Sequence, residues 1–97
     1  MTIELKKFGT TLTSREEGRE AFAAFKPTLS GIRDNESVEV VFTGVNTFSP
    51  SWGDEFLAPL IQLFGDRIVF VDTGNLSVEA TLNMLEKIHS MKFNRKS

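Results

Sequence analysis

The sequence predicts an α/β fold: a small, mostly parallel sheet with helices packed against it, built from successive strand–helix units. Three observations predict it. Three short runs, "TIELKKF", "VEVVF" and "RIVFV", have the length and residue types of strands. Each is followed by apolar residues at helical spacing. The order strand, helix, strand, helix, strand, helix implies parallel strands joined by right-handed crossovers.

In "TIELKKF", Ile3, Leu5 and Lys7 face one way and Glu4, Lys6 and Phe8 the other. Gly9 and the threonines after it form a turn. "SREEGREAFAAF" opens with a capping box, Ser14 with Glu17 three residues on. Phe22, Phe25, Leu29 and Ile32 continue at helical spacing, and Pro27 disfavours helical geometry at Lys26, so the helix breaks or kinks there. "RDNES" is a loop. "VEVVF" is nearly continuous in apolar residues, the pattern of a strand covered on both faces.

The second helix carries Phe56, Leu57, Leu60, Ile61 and Phe64 as its stripe, with Gly65 as its stop. Pro59 removes one ladder bond and should kink it. "RIVFV" is the third strand, with Asp72 at its end. Ser77 or Asn75 caps a last helix whose apolar face is Val78, Leu82, Leu85, Ile88 and Met91.

At 97 residues the chain is one domain's length, large enough to bury one core without staples. Nine phenylalanines and no tyrosine make the aromatic mass core filler first. A net charge of −2 argues against a protein that tracks phosphates along nucleic acid. One basic stretch stands apart, where Lys92, Arg95 and Lys96 follow with no acid. It reads as a solvated tail, residues 92–97, behind a domain of residues 1–91. The absence of cysteine excludes disulfides, thiolate zinc sites and cysteine nucleophiles, and fits a reducing compartment. No run approaches the ~20 apolar residues of a membrane helix, and "MTIELKKFG" has no apolar signal core. The expectation is a cytoplasmic protein that engages neither membrane nor nucleic acid.

Catalytic chemistry finds little support. The lone histidine, His89, sits late in the last helix without a recognisable base, orienter and nucleophile set around it. Asp54 and Glu55 are consecutive helix residues, about 100° apart, and do not form a facing carboxylate pair. Their bland reading is favourable charge in the first helical turn. A further reading has one capping the helix and the other meeting a partner. There is no GxGxxG and no Walker loop, and "DTGN" has one glycine. No cofactor and no metal are expected.

The stretch "FTGVNTFSPSWGDEF", Phe42 to Phe56, is the exception. As local structure it starts a helix. Ser49 caps and Pro50 takes the first helical position, or Ser51 caps and Asp54 completes a box. By location it follows the carboxyl end of a strand, where open α/β sheets carry their sites. A serine at a helix N-terminus stands where amides and the dipole favour a phosphate. Trp52 is either a partly exposed binding anchor or packing under the sheet edge.

"TSREEGREAF", "VEVVFTGVNTFSPSWGDEF" and "RIVFVD" together resemble the STAS-like domains, relatives of the sulfate transporter and anti-sigma factor antagonist family. The matching positions are Gly44, Val45, Phe48, Ser49, Pro50, Ser51, Trp52, Gly53, Asp54 and Glu55, with Ser14, Arg15 and Gly18 upstream. The likeness covers roughly residues 3 to 88. It implies a non-enzymatic, bacterial-type regulatory role: binding a protein partner, a histidine-kinase-like ATPase, through the start of the second helix. Phe48, Ser49, Trp52, Asp54 and Glu55 would form that contact. In relatives with an Asp-Ser-Ser-Gly loop the first serine is phosphorylated to release the partner. Here that register puts Ser49 on the aspartate, Pro50 on the acceptor and Ser51 on the second serine. Proline has no hydroxyl, so Ser51 is a displaced phosphorylation candidate. The alternatives are a structural homo-oligomer, using exposed edge strands or the phenylalanine-rich first helix, and a small-ligand or nucleotide-binding domain using Asp54, Glu55 and Asp72.

Overall fold

The computed structural model describes residues 1–96. Three strand–helix units are present as the sequence predicts. Strand β1 is Thr2–Glu4, helix α1 Arg15–Phe25, strand β3 Val38–Val41, helix α2 Pro50–Phe64, strand β5 Ile68–Val71 and helix α3 Leu76–His89. Three further strands join them: β2 (Thr11–Leu12), β4 (Thr47–Phe48) and β6 (Asn94–Lys96). The main sheet is four-stranded and all parallel, in the order β1-β3-β5-β6, and β2 pairs with β4 in a small parallel ribbon.

The caps follow the chemistry of the sequence. The Ser14 hydroxyl accepts from the Glu17 amide, the Ser49 hydroxyl from the Trp52 amide, and Asn75 Oδ1 from the amides of Ser77 and Val78. Asn75, not Ser77, is therefore the cap of α3. Helix α1 stops at Phe25, and Lys26–Gly31 tighten into 3₁₀ geometry around Pro27. Helix α2 runs without interruption through Pro59 to the stop at Gly65.

Four expectations are corrected. The first strand ends at Glu4. Leu5–Phe8 turn in a 3₁₀ helix, which leaves Lys7 exposed and carries Phe8 onto the aromatic core. The central strands are not covered on both faces. Val38, Val40, Ile68 and Phe70 are buried, while Val41, Val69 and Val71 are only half-buried. The reason is topological: each right-handed crossover steps to the next strand in the same direction, so all three helices fall on one face.

Residues 92–96 are no solvated tail either. Asn94–Lys96 add a strand alongside β5, Phe93 packs on Phe70 with centroids 4.9 Å apart, and Arg95 pairs with Glu86 at 3.1 Å. The domain thus extends past residue 91; residue 97 lies outside the described residues. Finally, Ile88 leaves the apolar face of α3 for solvent, and Met91 lies beyond the helix, half-buried.

The core lies between the sheet and the helices. Its centre is aromatic: Trp52 stacks on Phe56 (5.0 Å, 20°), and Phe8, Phe25 and Phe48 pack around them. Among the described residues no helix is long and apolar enough to cross a membrane.

Candidate protein-binding site

The loops leaving β3 and β5 meet, so α2 and α3 begin side by side. The Phe48 amide donates to the Ser77 hydroxyl at 3.1 Å, and Thr81 Oγ1 donates to the Phe48 carbonyl at 2.7 Å. Ser77 in turn donates to Asn75 Oδ1 at 2.6 Å, and the Asn75 amide reaches the Asn46 carbonyl at 2.9 Å. Both polar groups of the Phe48 peptide are thus satisfied by α3, which lets this short strand enter the core.

The start of α2 is crowded. A Cβ built at Gly18 of α1 would lie 2.7 Å from the Trp52 carbonyl oxygen, and one at Gly53 would lie 2.9 Å from Phe48 Cζ and 3.2 Å from Thr81 Cγ2. Two glycines therefore let α1 and α3 close on the first turns of α2. Trp52 and Phe48 are each 1% exposed. The large apolar side chains that resemblance places in a partner contact are core, because α2 is the middle helix and has a neighbour on either side. Ser49 is occupied twice, donating to the Thr13 carbonyl at 2.8 Å while capping α2. Ser51 is half-buried, and its hydroxyl has no hydrogen-bond partner among the described residues.

Asp54 and Glu55 are not first-turn charges; they follow the first turn of α2. Glu55 accepts from Arg15 at 2.8 Å and from Arg19 at 3.2 Å, both on α1. The Arg15 hydrogen bond, reinforced by Arg19, holds the Glu55 carboxyl below the ordinary glutamate range. Asp54 lies 3.9 Å from Arg15 and 3.5 Å from Nε2 of His89. That nitrogen is buried and makes no hydrogen bond among the described residues, so the contact attracts only when the imidazole is protonated. Sequence reasoning missed this pairing of α2 with α3. The two residues are 35 positions apart, and no local pattern connects them.

Asp72 stands elsewhere, with φ at 59°, accepting from the Thr43 hydroxyl at 2.8 Å. Among the described residues no group of three acids or histidines is placed to hold a metal ion. An open depression of about 570 Å³ is lined by Asn83, Glu86, Lys87, Ser90, Met91 and Lys92, and one of about 750 Å³ lies around Gly31 and Arg33 to Glu36. Neither includes a residue of the Ser49–Glu55 segment.

What the sequence left unmarked is the flank of α3. Leu76 is 83% exposed, Ile88 59% and Met84 48%, and Ala80 between them is exposed too. Spaced four apart, the four sweep roughly 120° of the helix and run about 18 Å along it. The inner face carries Val78, Leu82 and Leu85, all fully buried. A third side is polar and turns toward β6, where Asn83 and Glu86 hold Arg95. Leu76 sits where α2 and α3 begin. A period-four signal was available in the sequence, but it is indistinguishable there from more core.

Compared with protein-family models, with curated proteins and with solved structures, the chain matches none.

Proposed function

We propose that this chain is a non-enzymatic regulatory module that binds another protein, as its STAS-like sequence features imply, and that α3 presents the contact. The observation that carries this is the second apolar side of α3. A helix whose inner face already fills the core gains nothing in folding from Leu76, Met84 and Ile88 held in water. The stripe has the i, i+4 spacing with which a helix engages an apolar groove or helix. It begins one residue before Ser77, whose hydroxyl holds the Phe48 amide just ahead of α2, so the α2 start adjoins the contact while its aromatic residues stay inside.

The partner class is the one the resemblance implies, a histidine-kinase-like ATPase. Ser51 is where a kinase partner would act. A phosphate there adds about −1.5 to −2 charge. It stands one turn before Glu55, and Arg15 and Arg19 are the cations it would compete for. Phosphorylation would loosen α1 from α2, across α2 from the contact, and release the partner by letting α2 shift against α3.

The test is capture from source-cell lysate, with and without ATP, by wild type and by a Leu76→Asp/Met84→Asp variant. Capture of one ATPase by wild type, lost in the variant and weakened in Ser51→Asp, supports the reading. Equal capture by wild type and the α3 variant contradicts it.

A further inference from the structure

The sheet face turned away from the helices is laid out as two rows across the strands. By register, one row is Thr2, Glu39, Val69 and Asn94, and the next is Glu4, Val41, Val71 and Lys96. None of the three valines packs on the core. All-parallel sheets are ordinarily covered on both faces, and nothing among the described residues covers the second one. The charges are segregated: acids on β1 and β3 at one side, Lys96 on β6 at the other, valines between.

The geometry points to a second copy of this chain as the cover, with the two bare faces packed about a two-fold axis parallel to the strands and midway between β3 and β5. That rotation reverses strand order across the interface. Glu4 then faces Lys96 of the second copy, and Val41 faces Val71 of the second copy. Each contact occurs twice, as a closed two-fold interface requires. The other in-plane axis, perpendicular to the strands, would set β1 on β1 and β6 on β6, the acidic side against the acidic side, so charge selects between them.

Glu39 is the polar group this packing must satisfy, since it comes opposite Val69. Its carboxylate already accepts from the Thr2 hydroxyl at 3.1 Å. Asn94 of the second copy comes opposite Thr2. Its amide donates one hydrogen to the Asp66 carbonyl and has the other free.

The face is small. Four strands about 4.8 Å apart and three to four residues long cover on the order of 200 Å². That falls well short of the ~800 Å² per partner of a stable complex. The dimer is accordingly weak and salt-sensitive, and forms only at high protein concentration.

Sedimentation equilibrium from about 10 µM to 1 mM at low salt tests it, a range set by the area above. Wild type should pass from monomer to dimer, and 0.5 M salt should shift it back. Glu4→Lys and Lys96→Glu, both at exposed positions, should each dimerise roughly tenfold more weakly, because every ion pair becomes a like-charge contact. An equimolar mixture of the two variants should recover the dimer, since both pairs are then opposite in sign again. Met84→Asp on α3 should leave this dimer unchanged, which separates it from the surface proposed above. Wild type monomeric throughout overturns the inference. So does a dimer indifferent to the charge variants, or a mixture that gains nothing over its components.

Discussion

Helices α2 and α3 begin within hydrogen-bonding reach of each other, yet one buries its conspicuous residues and the other displays them. Trp52 and Phe48 at the start of α2 are almost wholly enclosed, while Leu76 at the start of α3 is the most exposed large apolar residue described. The difference is position in the layer. α2 lies between two helices, each brought close by a glycine contact, whereas α3 is the outermost helix and has a helical neighbour on one side only. An aromatic residue at a helix start is a binding anchor only where the neighbours leave it room.

The comparison breaks most sharply at Trp52. Trp52→Ala should cost about 3–5 kcal/mol, the range for emptying an aromatic core site, read as a fall in the urea midpoint. Any loss of partner binding in that variant would follow from unfolding. Next comes the crowding itself. Gly18→Ala drives a methyl into the Trp52 backbone and should cost about 1–3 kcal/mol, because α1 and α2 must move apart. An unchanged midpoint would mean the two helices are not closely seated.

The α2–α3 seam is tested on a similar scale. Thr81→Val removes the hydroxyl that serves the Phe48 carbonyl in the core, a loss of about 1–3 kcal/mol for a buried acceptor left alone. On the free flank, Leu76→Asp should change stability by no more than about 0.5 kcal/mol. The smallest effect belongs to the surface charges. Glu55→Gln should slightly lower the thermal midpoint at neutral pH. The folded-state pKa of Glu55 lies below its ordinary value of 4.5, so its stabilising contribution is present above that value. It fades as pH falls through the lowered pKa. The variant and wild type should therefore converge in acid; a gap that widened on acidification would contradict the Arg15–Glu55 account.

Much of the fold was legible in the chain because its signals are local. The three main strands, three helices, the Ser14 and Ser49 caps and the Gly65 stop all rest on residues within a turn of each other. What was illegible depends on distance or on direction. β2 and β4 are two residues each, too short for any period, and exist because Leu12 and Phe48 share one corner of the core. β6 reads "NRK" and has no apolar alternation; it is an edge strand on a bare face, where only Arg95 turns inward. Ile88 fits the periodicity of a buried face yet lies outside, since spacing counts turns and does not say which flank has a neighbour. The site split in the same way. The Ser49–Pro50 helix start was readable, but burial of Trp52, the Asp54–His89 contact and exposure of Leu76 are properties of the assembled layer.

The sole tryptophan gives the most direct test. Its emission should be recorded in native buffer and in urea, with and without acrylamide as a collisional quencher. The structure requires a native emission shifted well to the blue of the unfolded chain and shielded from acrylamide until urea unfolds the protein. A native emission matching the unfolded one, quenched as readily, would place Trp52 at the surface and return the contact to the start of α2.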